Sequence, residues 1–81
     1  MAKKKSTKEV YSDFESSNIK HFEYDKEVKT LDVHFHNGSI YQYNDVPPIV
    51  VKHTANAKSV GQAFNTHIKT VYNHIQIKPK D

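Results

Sequence analysis

The alternation of apolar and polar positions predicts antiparallel strands in the first half of the chain. In the segment "TLDVHFHN", Leu31, Val33 and Phe35 alternate with polar residues, as in a strand that buries one face. The dipeptide Asn37-Gly38 that follows is a strong signal for a hairpin turn. The segment "SIYQYNDV" after the turn is therefore predicted to form the returning strand.

An earlier strand is predicted in the segment "NIKHFEYD". Phe22 and Tyr24 alternate there with polar residues, but Ile19 is out of phase with both. One extra residue in the strand restores the phase, so we expect a β-bulge near Lys20 or His21.

Two helices are predicted after the third strand. Pro47 and Pro48 suit the first turn of a helix, which is predicted over about residues 48–57. Ser59 is a good N-cap for a second helix, and Gln62 completes a capping box. The apolar residues of that helix recur at helical spacing: Val60, Phe64, Ile68, and Val71 or Tyr72.

These elements predict an α+β fold, with a three-stranded antiparallel sheet followed by two helices packed on one face (βββαα). Two helices cover only one face of such a sheet, so the other face is expected to be open to solvent or to a partner. We assign residues 16–72 to this domain and residues 1–15 to a basic, disordered N-terminal tail. Residues 73–81 are assigned to a short C-terminal extension that adds a strand or remains a tail.

The register of the hairpin decides where Tyr41 and Tyr43 point, and the sequence leaves two alternatives. A two-residue loop pairs His34 with Tyr41 and turns both tyrosines to the uncovered face. A three-residue loop with Gly38 in the left-handed conformation pairs Val33 with Tyr41 and turns both rings into the core. Local turn chemistry slightly favours the outward register.

Charge is distributed unevenly along the chain. Residues 1–8 carry four lysines and no acid, residues 9–45 carry three lysines and eight acids, and residues 46–81 carry five lysines and Asp81. There is no arginine, the usual bidentate reader of guanine and phosphate. This composition argues against sequence-specific base readout and indicates a basic tail and a basic C-terminal half.

Composition also excludes several classes of protein. The absence of cysteine rules out disulfides, thiolate metal sites and a nucleophilic thiol. With only two glycines and no serine beside an identifiable base, the chain has neither a phosphate-cradling loop nor a catalytic constellation. We therefore expect no enzyme activity and no cofactor.

The longest apolar run is "IVV" and the N-terminus lacks the apolar core of a secretory signal, so a cytoplasmic location is expected.

The histidine-rich strand raises the question of a metal ion. His34 and His36 share one face of the predicted strand, and Asp32 continues the row, a combination that zinc accepts. No fourth ligand is specified, so solvated histidines are the favoured interpretation and no metal site is assigned.

Several segments in order resemble the KTSC domain family: "SSNIKHFEYD", "LDVHF", "NGSIYQYNDVPP" and "SVGQAFNTHI". The resemblance covers roughly residues 16–72 and includes the family's central Tyr-x-Tyr as Tyr41 and Tyr43. The family is named for a segment at the C-terminus of some lysyl-tRNA synthetases and also occurs as small stand-alone proteins of bacteria and phages. That context implies RNA binding. Members often carry arginine in and after the last helix, where this chain has Lys69, and this departure weakens a phosphate-clamping role there.

The charge split and the resemblance together predict a small non-catalytic module that binds nucleic acid, RNA in preference to DNA, without sequence specificity. The predicted binding residues are Lys3, Lys4, Lys5, Lys52, Lys58, Asn65 and Lys69. The alternative is a protein-interaction module, of bacterial or phage origin, that binds a host or partner protein or self-associates through the open sheet face. Its predicted partner face consists of His34, His36, Tyr41 and Tyr43.

Overall fold

Five antiparallel strands form the sheet in the computed structural model, which describes residues 8–80. In chain order they are β1 (Lys8–Tyr11), β2 (Ile19–Asp25), β3 (Thr30–Phe35), β4 (Ile40–Tyr43) and β5 (His74–Lys78). The strands lie in the sheet in this same order, each antiparallel to the next. The prediction of a three-stranded sheet is therefore wrong, whereas the α+β class is confirmed.

The two additional strands are the edges of the sheet. β1 lies within the predicted tail and β5 within the predicted C-terminal extension, while residues 1–7 and 81 of those segments lie outside the described residues. β1 has four residues and β5 has five, and both mix charged or polar side chains with single aliphatic ones. Each pairs on one side only, β1 with β2 and β5 with β4, through long-range contacts that local patterns do not report.

The predicted β-bulge is confirmed. The pairing of β2 with β3 shifts register between Ile19 and His21. Because of this shift, Ile19 pairs with Phe35 and lies on the same face as Phe22 and Tyr24, where it is buried.

The helical layer begins at the predicted proline pair. Helix α1 spans Pro48–Ala55, and helix α2 spans Val60–Phe64 and continues directly into a π-helical turn at Asn65–Lys69. The predicted N-cap is confirmed, because the Ser59 hydroxyl oxygen accepts a hydrogen bond of 3.3 Å from the Gln62 amide. Within residues 8–80, no helix has the length and apolar character needed to cross a membrane.

The core lies between this helical layer and one face of the sheet. Its buried hydrophobic residues are Ile19, Phe22, Tyr24, Leu31, Val33, Tyr43, Val46, Val51, Ala55, Val60, Phe64 and Ile68. Tyr72, and not Val71, packs against this cluster after the π-helical turn. The opposite face of the sheet carries no helix from residues 8–80 and is called the outer face below.

Candidate nucleic-acid interface

The loop between β3 and β4 fixes the direction of Tyr41 and Tyr43. The Phe35 amide donates to the Ser39 carbonyl oxygen, and the Gly38 amide donates to the Phe35 carbonyl oxygen, both at 3.0 Å. Gly38 has a φ of 93°, which glycine adopts without steric cost. The loop is therefore the three-residue alternative, and the slightly favoured two-residue loop is wrong.

The resulting register places the two tyrosines on the helix-covered face. Val33 pairs with Tyr41 and Leu31 pairs with Tyr43, whose side chain is only 3% exposed. His34 points to the outer face, so it does not share a surface with the tyrosines. The predicted partner face is thus divided between two sides of the sheet. Burial of aromatic area against the helices, which no local turn signal contains, stabilises this register.

A groove of about 810 Å³ opens between the hairpin end of the sheet and the last helix. We call it the aromatic groove. Its lining includes Ser17, Asn18, Phe35, His36, Asn37, Tyr41, Tyr43, Gly61, Phe64, Asn65, Lys69 and His74. The groove therefore joins the hairpin loop, strands β4 and β5, and the π-helical turn in one concave surface.

Aromatic rings form the floor of the groove. The Tyr41 ring centroid lies 5.5 Å from that of His74 and 5.7 Å from that of Phe35. Tyr43 lies beneath, 4.9 Å from His74 and 5.4 Å from Phe64 between ring centroids. Burial raises the pKa of Tyr43. Tyr43 supports the floor, while partly buried Tyr41 and exposed His74 offer ring surface to a ligand.

The polar side of the groove comes from the π-helical turn. Asn65 and Lys69 stand at the two ends of this turn, are exposed, and both line the groove. The rare π geometry is found disproportionately at functional positions, where it re-aims side chains. On the opposite rim, His36 Nε2 is held 3.0 Å from the Ser16 carbonyl oxygen.

The electrostatic character of the groove differs from that of the outer face. Among residues 8–80, no carboxylate lines the groove, whereas Lys69 does. On the outer face Asp32, 8% exposed, accepts hydrogen bonds from Lys8 Nζ at 3.1 Å and Gln42 Nε2 at 2.9 Å. The bond to Asp32 raises the pKa of Lys8. The acids of the central strands therefore face away from the tyrosines, although they are their neighbours in sequence.

The outer face also holds a compact group of His21, Glu23 and His34, which we call the outer cluster. The two imidazole rings stack across β2 and β3, with centroids 4.2 Å apart and planes 17° apart. Oε2 of Glu23 lies 3.2 Å from Nε2 of His21 and 3.5 Å from Nε2 of His34. Burial lowers the pKa of His34, and the neighbouring His21 lowers it further.

The structure brings together some of the predicted binding residues and separates others. Asn65 and Lys69 line the aromatic groove, but Lys52 on α1 and Lys58 after it are exposed elsewhere on the helical layer. Lys3, Lys4 and Lys5 lie outside the described residues. Of the predicted partner face, His36, Tyr41 and Tyr43 line the groove, and His34 belongs to the outer cluster.

Sequence reasoning missed His74 as a groove residue. It was placed in the C-terminal extension, yet it pairs with Tyr43 and its ring completes the aromatic floor. The alternating segment "HIQIK" was the available signal for a strand, although it did not specify the pairing with β4.

Part of this chain is similar in sequence to lysine–tRNA ligases. Lysine–tRNA ligase from Nostoc punctiforme is 43% identical over 63 residues, which are 78% of this chain and 11% of the ligase. The ligase of Trichormus variabilis is 38% identical over the same length and is likewise matched over 11% of its own length. The chain thus spans about a tenth of these ligases.

Two other matches cover most of the length of the matched protein. An uncharacterized protein from Stutzerimonas stutzeri is 40% identical over 55 residues, covering 68% of this chain and 78% of that protein. The crystal structure of a KTSC domain protein from Yersinia pestis matches with a TM-score of 0.73 and 31% identity, over 79% of this chain and 90% of the other. The family model described as KTSC domain matches residues 15–72. The chain therefore belongs to the KTSC domain family.

Proposed function

We propose that the aromatic groove binds single-stranded RNA, without catalysis and without sequence specificity. The observation that carries the proposal is the combination of accessible rings with a basic residue in a groove lined by no carboxylate among residues 8–80. A base stacks on Tyr41 and His74, Lys69 contacts a phosphate, and Asn65 hydrogen-bonds to a base edge or the ribose.

The dimensions and chemistry of the groove support an unpaired nucleotide as its occupant. Small-ligand sites typically enclose about 300–1,000 Å³, and the aromatic groove, at about 810 Å³, falls in this range. Stacking of a base on an aromatic side chain contributes about 1–3 kcal/mol and tolerates any base. A stacked base in a duplex does not expose its faces to such a surface, so single-stranded segments are favoured.

RNA is favoured over DNA by the relatives. The Nostoc and Trichormus relatives are named lysine–tRNA ligases, so the related segment occurs in proteins that act on an RNA. The absence of arginine in this chain favours weak, salt-sensitive phosphate contacts over bidentate base recognition. The predicted contribution of Lys3, Lys4 and Lys5 stays a prediction, since those residues lie outside the described part of the chain.

The test is a fluorescence anisotropy titration of the full chain with a labelled single-stranded RNA of about ten nucleotides, a length within known site sizes. Measurements at several salt concentrations between about 50 and 200 mM give the number of phosphate contacts. We expect Lys69→Ala to weaken binding and to reduce the salt slope by about 0.7, the contribution of one contact to a single strand.

The matched control is Lys52→Ala, which removes an exposed lysine from α1 outside the groove. It should leave the affinity and the slope close to those of the unmodified protein. Equal effects of the two substitutions would show diffuse binding over the helical layer, and no binding at low salt would reject the proposal. Competition with DNA of the same sequence tests the preference for RNA.

A second candidate function, protein–protein contact, is favoured by the edge strand β5. All five of its residues are exposed, including Ile75, which is 54% exposed. An exposed strand edge with aliphatic side chains is a template for pairing with another strand. Sedimentation velocity tests self-association: a dimer that Ile75→Lys dissociates supports it, and a monomer at all concentrations rejects it.

A further inference from the structure

We propose that the outer cluster, His21, Glu23 and His34, is a binding site for a divalent late transition-metal ion such as Zn²⁺. The proposal is independent of RNA binding, because the outer cluster and the aromatic groove lie on opposite faces of the sheet. It also differs from the row Asp32, His34 and His36 that the sequence suggests.

Backbone register brings the three ligands together. His21 and His34 are direct partners across β2 and β3, and Glu23 follows His21 by two residues on the same face. The β-bulge between Ile19 and His21 places His21 directly opposite His34. Two rigid paired strands, and no flexible loop, therefore supply all three side chains.

The distances from the Glu23 oxygen to the two imidazole nitrogens match those around a tetrahedral metal ion. Bonds of about 2.0–2.2 Å from zinc to imidazole nitrogen and carboxylate oxygen place two ligand atoms about 3.4 Å apart. Oε2 of Glu23 lies 3.2 Å from Nε2 of His21 and 3.5 Å from Nε2 of His34. The three ligand atoms all lie within 4.8 Å of one another. An ion can enter this triangle once rotation of the two imidazole rings turns both nitrogen lone pairs toward it.

The surroundings leave room for the ion. Before an ion binds, the His21 and His34 rings stack with their planes nearly parallel. Lys8 approaches the other carboxylate oxygen of Glu23, Oε1, at 3.9 Å, and so leaves Oε2 to the histidines. The ligand side chains are 20–30% exposed, so water can reach the remaining coordination position. Asp32 is engaged by Lys8 and Gln42, which makes it a less available ligand.

The donor set favours a particular class of ion. Two imidazole nitrogens and one carboxylate oxygen suit zinc, copper or nickel, whereas magnesium and calcium prefer oxygen ligands alone. Three protein ligands leave one coordination position of a tetrahedral ion to water.

Isothermal titration calorimetry of the full chain without an affinity tag, with zinc chloride as the probe, tests the proposal. One zinc ion should bind per chain. His34→Gln and Glu23→Gln should each weaken binding by about tenfold or more, an effect at least as large as that of removing a supporting group of a metal site. The matched control is His53→Gln, an exposed histidine on α1, which should bind zinc unchanged.

A second substitution separates metal ligation from a purely structural ion pair. Lys8→Met removes the cation beside Glu23 and should lower the dissociation constant for zinc, because two positive charges no longer compete for the same carboxylate. The effect on folding is followed by thermal unfolding of each variant without zinc. If a histidine variant does not fold, amide chemical-shift changes of the unmodified protein on zinc addition locate the site directly.

The proposal is overturned if no stoichiometric zinc binding is found, or if His53→Gln abolishes binding that His34→Gln retains. Zinc-dependent shifts confined to residues outside β2 and β3 would overturn it as well. Loss of binding in both outer-cluster variants, together with shifts centred on His21 and His34, would establish it.

Discussion

The two faces of the sheet use the same strands for different chemistry. On the helix-covered face, Tyr41 and Tyr43 build an aromatic groove that no carboxylate lines among residues 8–80. On the outer face, Glu23, Asp32 and Lys8 form ion pairs and hydrogen bonds around two stacked histidines. Charge must therefore be counted separately for the two faces of the sheet, because strand alternation sends sequence neighbours to opposite surfaces.

The largest expected difference between the faces is in stability. Val33 is fully buried on the helix-covered face, and Val10 is 62% exposed on the outer face. Val33→Ala should lower the free energy of unfolding by about 2–3 kcal/mol, from lost burial and a residual cavity. Val10→Ala should change it by less than about 0.5 kcal/mol. Urea denaturation measures both, and similar costs for the two substitutions would contradict the assignment of the core.

The next difference concerns RNA affinity and two adjacent residues of β4. Tyr41 lies in the groove and Gln42 points to the outer face, where it donates to Asp32. Tyr41→Leu keeps apolar contact but removes the stacking surface, so RNA binding should weaken by at least about 1 kcal/mol. Gln42→Ala serves as the control and should bind RNA normally. An effect of Gln42→Ala as large as that of Tyr41→Leu would place the ligand elsewhere.

A smaller effect is expected from the outer ion pair. Lys8 contacts Asp32 with side-chain exposures of 43% and 12%, so solvent screens much of the attraction. Lys8→Met should lower the free energy of unfolding by about 1 kcal/mol or less, and the loss should shrink at high salt. Lys20→Met, at an exposed position of β2, is the control. A loss that does not depend on salt would mean that the pair acts through packing and not through charge.

The smallest expected effect is on how steeply the free energy of unfolding falls with rising pH in the alkaline range. Burial raises the pKa of Tyr43, and burial followed by the Glu9 carboxylate raises the pKa of Tyr11 to about 12. The unfolded chain therefore releases these protons first, so stability is complete below the ordinary tyrosine pKa of about 10 and falls as pH rises through the folded values.

Tyr43→Phe should make this alkaline fall less steep, by up to about one proton, without loss of the ring contacts. Tyr11→Phe should act similarly and also removes the hydrogen bond of 2.9 Å that the Tyr11 hydroxyl donates to Glu9, whose ion pair with Lys26 remains. Denaturation midpoints measured between about pH 9 and 12 give the slopes, because these span the ordinary tyrosine pKa. Unchanged slopes in both variants would show that these tyrosines are not protected by the fold.

The sequence was sufficient for the elements with strong local signals. The Ser59 cap, the proline pair at the start of α1 and the bulge after Ile19 each follow from a local rule, and the structure has all three. The edge strand β1 was not predicted, and β5 was predicted only as one of two alternatives for the C-terminal extension. Each is too short and too polar to show its pairing without the neighbouring strand.

The candidate site could be predicted only in part from the sequence, because it too depends on contacts between residues that are distant in the chain. Asn37-Gly38 is compatible with two loop lengths, and the choice between them depends on packing of Tyr41 and Tyr43 against distant aromatic residues. Summing charge over residues 9–45 placed the tyrosines in an acidic region, although those acids point to the outer face in the central strands. His21 showed no partner in sequence, because its partner His34 lies on the next strand.

We propose that RNA binds on the helix-covered side of the sheet. The most direct test of this proposal is a titration of isotopically labelled protein with single-stranded RNA, followed by amide and side-chain chemical shifts in nuclear magnetic resonance spectra. If RNA binds in the aromatic groove, the largest changes are expected at Tyr41, Asn65 and Lys69, and little change is expected at Glu23 and Gln42. Changes centred on Glu23 and Gln42, or no change at any residue, would contradict it.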